Sequence, residues 1–183
     1  MSILFINACV RESSRTLVLA KSIMKDMKGD IIEIDLNTEN IPPLNRELLK
    51  KREQLIGEGN INAPMLRLAK QFAEADEIVI AAPFWDLSFP SLLKIYIEQI
   101  TVSGITFKYI NGCPQGLCRA KRLIYVTTSG GTIFSDFGYS YIKTLAKSFY
   151  GIEETLSYRA MNLDVDMITA EELLTKATIS KME

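Results

Sequence analysis

Four runs of apolar residues, Ile3 to Ile6, Ile78 to Ala82, Leu123 to Thr127 and Thr155 to Tyr158, constrain this chain more than any other feature it has. They are rich in β-branched side chains and show little apolar–polar alternation, so they read as strands covered on both faces. A fifth run, Ile31 to Ile34, contains Glu33 and reads as an edge strand. Helical periodicity fills the gaps. Leu17, Ala20, Met24 and Met27 share one face of a helix from about Ser14, and Met65, Leu68, Ala69 and Phe72 share one face of a helix opened by Pro64. A third helix opens at Pro90 and is apolar over more than one face, through Leu92, Leu93, Ile95, Tyr96, Ile97 and Ile100, so it should be covered on more than one side. A fourth carries Tyr141, Ile142, Leu145 and Phe149 and stops at Gly151, and a fifth starts from the capping box Thr169 to Glu172. Strands alternating with helices form a parallel sheet, and right-handed crossovers place the helices on both faces of it. The expectation is a three-layer, doubly wound α/β fold around a five-stranded parallel sheet. The polar stretch Asn37 to Asn62 is a long excursion after the second strand, either a lid or partner contact or a solvated loop with a short helix at Arg46 to Leu55.

What the chain lacks narrows its chemistry. It has no histidine, which removes Ser-His-Asp and Cys-His nucleophilic arrangements and every His-based metal site. Three cysteines, Cys9, Cys113 and Cys118, are too few for a four-thiolate zinc site and odd in number for a disulfide framework, so free thiols in a reducing compartment are the plainer reading. No metal is expected. Neither G-x-x-x-x-G-K-[ST] nor a strand-linked G-x-G-x-x-G occurs, because Asn62 stands where the third glycine after Gly57 and Gly59 would fall. With 21 basic against 22 acidic side chains the net charge is −1, and no run of like charge suggests a nucleic acid or an anionic membrane surface as partner. The longest apolar run, Ile78 to Trp85, falls well short of the about 20 residues that cross a bilayer. The start, Met1 to Ile6, has no basic n-region of a signal peptide. A cytoplasmic protein of one domain, residues 1–183, is expected.

In an open α/β sheet, ligands bind beyond the carboxyl ends of the strands, near the point where the strand order reverses. Three loops meet there. The first, Asn7 to Thr16, leads straight into a helix. The hydroxyls of Ser14 and Thr16, the free amides of the helix and the cations Arg11 and Arg15 can together hold a phosphate, although Ser13 or Ser14 alone would read as a helix cap. The second, Pro83-Phe84-Trp85-Asp86-Leu87-Ser88-Phe89-Pro90, sets three large aromatics where a core strand has just ended; that suits a flat ligand, with Phe89 read as core packing. The third, Thr128-Ser129-Gly130-Gly131, is a tight turn or a place where backbone amides approach a ligand closely. Phosphate donors, an aromatic platform and close backbone together meet the needs of a phosphorylated flat ring system such as flavin mononucleotide.

At these residues the sequence resembles the FMN-dependent NADH-azoreductase and NAD(P)H-quinone reductase family of flavodoxin-like proteins. Ser14-Arg15-Thr16 corresponds to the family's S-x-[ST] phosphate signature, Pro83 to Leu87 to its P-[MF]-[WY]-N-[FL] loop and Thr128 to Gly131 to its [ST]-x-G-G loop. Gly104 to Tyr109 and Asn111 to Leu117 correspond to G-[VI]-T-F-x-Y and N-G-x-x-G-L. The resemblance implies the strand order 2-1-3-4-5 and a homodimer with FMN at the subunit boundary. It implies that NADH or NADPH delivers hydride to flavin N5 and that a quinone, azo compound or similar small acceptor follows in the same site. Ser14, Arg15 and Thr16 would then hold the phosphate, with Arg11 beside them. Pro83, Phe84, Trp85, Asp86 and Leu87 would run along the isoalloxazine, and Thr128, Ser129, Gly130 and Gly131 would bound its other side. Tyr109, in a segment that walls the site in the family, is the candidate catalytic residue, with water or the flavin itself as the other proton donors. Two residues depart from the pattern. Asp86 replaces the usual Asn, where it either faces the ring or caps the turn before Pro90, and Ala8-Cys9 stands where many members have a Ser. The alternative is a flavodoxin-type electron carrier, but carriers of that kind are usually strongly acidic for docking and this chain is nearly neutral.

Overall fold

The computed structural model describes residues 1–165, 172 and 178–180. In chain order the elements are β1 (Ser2–Asn7), α1 (Arg15–Met24), β2 (Asp30–Asp35), α2 (Arg46–Gly57), α3 (Arg67–Glu74), β3 (Glu77–Ala81), α4 (Ser91–Ile100), β4 (Phe107–Ile110), β5 (Cys113–Gly116), β6 (Arg122–Thr128), α5 (Phe137–Leu145), β7 (Glu154–Ala160) and β8 (Thr178–Ser180). The main sheet runs β2-β1-β3-β6-β7-β8. Its first five strands are parallel, which is the expected 2-1-3-4-5 order when the parallel strands are counted along the chain. β8 adds antiparallel to β7 and was not anticipated. The helix expected from Thr169 lies outside the described residues. Among the described residues no helix is long and apolar enough to cross a membrane.

The near-continuous apolar runs give the central strands two buried faces. Leu4, Ile6, Ile78, Ile80, Leu123 and Tyr125 point into the layer of α3, α4 and α5, where they meet Phe72, Leu93, Ile97 and Ile142. Their neighbours Ile3, Phe5, Val79, Ala81, Ile124 and Val126 point the other way, against Leu19, Ala20 and Met24 of α1. Each large aliphatic or aromatic side chain so buried contributes about 1.5–3 kcal/mol from water exclusion. Burying both faces also leaves little freedom of register, since a one-residue slip exchanges every inward side chain for its neighbour. On the edge strand β2, Ile31 and Ile32 remain exposed, as the interrupted run there predicts.

The polar excursion after β2 supplies the second cover that the broadly apolar α4 requires. Asn45 caps α2 by accepting from the Leu48 amide at 2.9 Å. Arg52 of this helix donates to the Glu98 carbonyl at 2.8 Å, and buried Gln99 of α4 donates to the Pro42 carbonyl at 2.7 Å. Pro64 opens a short 3-10 turn, Pro64–Leu66, that runs directly into α3. α5 continues as a wider turn, Ala146–Tyr150, and ends at Gly151 with φ 75°. That left-handed terminus is the helix stop for which glycine is favoured.

The antiparallel hairpin β4–β5 was not anticipated as a sheet element. Asn111 (φ 52°) and Gly112 (φ 79°) form its two-residue turn, the residue pair that a type I′ turn prefers. The segment leading into it is fixed by fully buried Thr106, whose hydroxyl accepts from the Val102 amide at 3.0 Å and donates to the Ile100 carbonyl at 2.8 Å. The base of the hairpin packs Phe107 against Phe149 with ring centroids 5.1 Å apart, beside the entry to β7 and thus near the amino ends of the strands.

Candidate functional site

The loops leaving β1, β3 and β6 enclose a cleft of about 240 Å³ at the carboxyl edge of the sheet. Of the residues expected there, Arg11, Ser14, Arg15, Thr16, Pro83, Phe84, Trp85, Thr128, Ser129 and Gly130 line it, and Ser13 and Asp164 join them. Asp86, Leu87 and Gly131 continue the lining loops without forming its wall.

Buried Asn7 begins the first loop, its side-chain oxygen accepting from the Cys9 amide at 3.1 Å and its amide donating to Glu33 at 3.1 Å. The chain then enters α1 at Ser14, whose hydroxyl oxygen accepts from the Leu17 amide at 3.3 Å. Capping uses a lone pair and leaves the hydroxyl hydrogen to donate elsewhere, so the cap and the phosphate contact are compatible. Buried Thr16 and Thr128 share a hydrogen bond of 2.6 Å between their hydroxyls, which ties the first turn of α1 to the end of β6. Two hydroxyls joined in this way retain one hydrogen between them for a ligand. Arg15 turns toward the chain after β7, donating to the Leu163 carbonyl at 2.8 Å and to Asp164 at 2.5 Å.

The second loop holds an uncommon turn. Trp85 and Ser88 exchange backbone hydrogen bonds, the Trp85 amide to the Ser88 carbonyl at 3.2 Å and the Ser88 amide to the Trp85 carbonyl at 2.7 Å. Between them Asp86 (φ 50°) and Leu87 (φ 66°) are both left-handed, so this is also a type I′ turn, here without glycine. Non-glycine residues in that region cost on the order of 1–3 kcal/mol each and persist only where their surroundings enforce them. The enforcement comes from α5. The Phe137 amide donates to the Leu87 carbonyl at 3.2 Å, and the Ser88 backbone lies within van der Waals reach of Gly138, 3.4 Å from where a Cβ there would sit. Asp86 is exposed and its carboxylate makes no hydrogen bond among the described residues, so it does not cap the turn.

In the third loop the two glycines have different reasons. A Cβ on Gly130 would overlap the Asp164 carboxylate, whereas Gly131 has open space around it. Gly130 therefore makes room for Asp164. The segment after β7 is zipped to this loop, the Leu163 amide donating to the Ser129 carbonyl at 3.2 Å and the Asp164 amide to the Gly130 carbonyl at 3.0 Å. Ser13 and Asp164 are the lining residues that the sequence did not assign to the site; for Asp164 the available signal was that the fifth parallel strand, β7, also ends at this edge.

Tyr109 is not brought to the cleft of its own chain. It lies on β4, 60% exposed, packed edge-on to Phe107 at 5.4 Å. None of the three cysteines lines the cleft. Cys9 is buried with its thiol 3.7 Å from the Ala81 carbonyl, and burial pushes its pKa up to about 11. Burial likewise raises the Cys118 thiol to about 12, while Cys113 is exposed. Since the thiolate is the reactive form, a thiol reagent at pH 8 is expected to label Cys113 quickly in the native protein and Cys9 and Cys118 only on unfolding; rapid labelling of all three would contradict this burial.

A doubly wound parallel sheet of this order, with hydroxyl donors, an aromatic wall and close backbone at its carboxyl edge, defines a flavodoxin-like protein. The flavodoxin-like fold family matches residues 1–179, and the chain belongs to it. It is similar to an FMN-dependent NADH:quinone oxidoreductase of Clostridium perfringens, 37% identical over 180 residues that cover 93% of this chain and 90% of that one. A second such oxidoreductase, from Clostridium acetobutylicum, is 38% identical over 186 residues, covering 96% and 92%. Among solved structures, an azoreductase from Bacillus anthracis superposes with a TM-score of 0.80 at 23% identity, covering 96% of this chain and 94% of that one. An FMN-dependent NADH-azoreductase of the same species, in complex with FMN, gives a TM-score of 0.75 at 25% identity, covering 95% and 92%.

Proposed function

We propose that this chain is an FMN-dependent NAD(P)H oxidoreductase that reduces quinones, azo compounds or similar small acceptors. The observation that carries the reading is the cleft itself, which gathers hydroxyls, a helix N-terminus, two aromatics and glycine backbone, in a chain similar over nine-tenths of its length to FMN-dependent NADH:quinone oxidoreductases. The hydroxyls of Ser14 and of the Thr16–Thr128 pair, the free amides of α1 and Arg11 suit a phosphate. Phe84 and Trp85 suit the ring, and the Ser129–Gly131 backbone suits its polar edge. When bound, FMN supplies the hydride acceptor that separates oxidation of the nicotinamide from reduction of the second substrate. The protein's share is to hold and screen it. With no histidine in the chain, the proton for the acceptor is left to water, Tyr109 or the flavin itself.

A homodimer is part of the proposal. The cleft of about 240 Å³ is smaller than the roughly 300–1,000 Å³ of a complete ligand pocket, and exposed Leu87 and Phe134 on the adjoining loops and Phe137 at the start of α5 lie beside it. A second subunit would complete the wall. Tyr109 does not line the cleft of its own chain, so any role it has in the site is at the partner's. Cytoplasmic location and a single domain over residues 1–183 complete the reading, and the near-neutral charge speaks against the carrier alternative.

Titrating the protein with FMN tests the assignment, with Trp85, the sole tryptophan, reporting through loss of its fluorescence. The loaded protein should oxidise NADH or NADPH in the presence of a quinone. Replacing both Ser14 and Thr16 by Ala should weaken FMN binding about a hundredfold or more, because each bond to a charged group is worth about 1.5–3 kcal/mol. A chain that is colourless after incubation with FMN and removal of the unbound flavin overturns the proposal, and FMN uptake with no nicotinamide-dependent turnover would favour the carrier.

A further inference from the structure

The Arg15–Asp164 pair lies inside the cleft, where the site as read above needs positive charge. We infer that Asp164 is a built-in competitor for the ligand's phosphate: it holds Arg15 until the phosphate displaces it, and so sets how tightly the site takes a phosphorylated flavin. The inference rests on the reading of the cleft as an FMN site.

Three observations carry it. Each terminal nitrogen of the Arg15 guanidinium already has an acceptor, one in the Leu163 carbonyl at 2.8 Å and the other in Asp164 Oδ1 at 2.5 Å. The carboxylate has a place made for it, since any Cβ on Gly130 would overlap it and the Asp164 amide is held by the Gly130 carbonyl at 3.0 Å. Asp164 also lines the same cleft as Ser14, Thr16 and Thr128, so a phosphate on those hydroxyls would face it.

The pair is suited to exchange. Its side chains are 31% and 64% exposed, and ion pairs so open to water hold weakly. A phosphate monoester near pH 7 carries a charge of about −1.5 to −2 and can take a guanidinium by two parallel bonds, so it outcompetes a single carboxylate. Once Arg15 has turned to the phosphate, Asp164 is left as an anion beside a dianion. That repulsion lowers affinity for the phosphorylated ligand and leaves an unphosphorylated flavin untouched. If Asp164 instead oriented Arg15 toward the phosphate, removing its charge would lower affinity, so the two roles differ in sign.

The test compares equilibrium binding of FMN and of riboflavin to the apoprotein, wild type against Asp164→Asn, a change that keeps size and fit against Gly130. FMN should bind about tenfold more tightly to the variant, the order of one screened charge repulsion relieved, while riboflavin affinity stays the same. The inhibition constant of inorganic phosphate against FMN should fall by a similar factor in the variant. Asp164→Ser, which also removes the charge, should shift FMN affinity in the same direction. Unchanged or weakened FMN binding in these variants overturns the inference while the FMN site stands. Equal tightening of FMN and riboflavin also overturns it, because the effect would then not act through the phosphate. A wild-type chain that takes up neither flavin removes the parent reading and this inference with it.

Discussion

Gly116→Ala is expected to cost about 3 kcal/mol of stability or more, at the top of the range for overpacking. A Cβ on Gly116 of β5 would overlap the Gly151 amide nitrogen and the Tyr150 carbonyl. All of these are backbone atoms, so no side chain can rotate away and the hairpin or the end of α5 has to move. Either shift also strains the 3.3 Å bond from the Cys118 amide to the Tyr150 carbonyl and the Phe107–Phe149 contact. In a chain of this size the melting temperature would fall by about 6–12 °C. Gly151→Ala is a milder change, with a contact of 3.2 Å to Gly116 and the cost of a left-handed alanine at φ 75°, about 1 kcal/mol. Urea unfolding of both variants checks the order. A Gly116→Ala protein within 0.5 kcal/mol of wild type would mean that the hairpin does not dock on α5.

The parts of this molecule legible in its sequence are those whose cause is local. Buried parallel strands have no wet face, so Ile3 to Ile6 and Ile78 to Ala82 announce themselves as unbroken apolar runs, and Gly151 ends α5 because a helix stop favours the residue with no Cβ. The hairpin β4–β5 had its signal in Asn111-Gly112, but Cys113-Pro114-Gln115-Gly116 looks nothing like a strand, since proline donates to no ladder. The turn at Asp86-Leu87 was illegible for the opposite reason. Leucine disfavours a left-handed conformation, and the turn exists because α5, 50 residues on, holds it there. Asp164 is the extreme case. It meets Arg15 across 149 positions, and only the superposition of the loops after β1, β6 and β7 at one edge brings the pair together.

Asp136→Ala should show how far that long-range support reaches, with an expected loss of about 3 kcal/mol, most of it from breaking a nearly buried ion pair. Asp136 caps α5 through Oδ1, which accepts from the Tyr139 amide at 2.7 Å, and its Oδ2 lies 2.5 Å from the Arg159 guanidinium. The two side chains are only 10% and 14% exposed, so water cannot replace the carboxylate cheaply. The cap alone is worth about 1 kcal/mol. The face of Tyr139, 5.4 Å from the guanidinium, and the Ser157 hydroxyl, 2.9 Å from Arg159 Nε, offset part of the remainder. Asp136→Asn retains the cap and should lose less. The effect on binding follows from the same geometry. The first turn of α5 holds the Leu87 carbonyl through the Phe137 amide, so fraying it releases the left-handed pair that places Trp85 in the cleft. FMN affinity should therefore fall in Asp136→Ala more than in Asp136→Asn, with weaker quenching of Trp85 at saturating FMN. An Asp136→Ala protein that is destabilised as expected yet binds FMN like wild type would show that the turn is held by its own sequence, and that the support from α5 ends at stability.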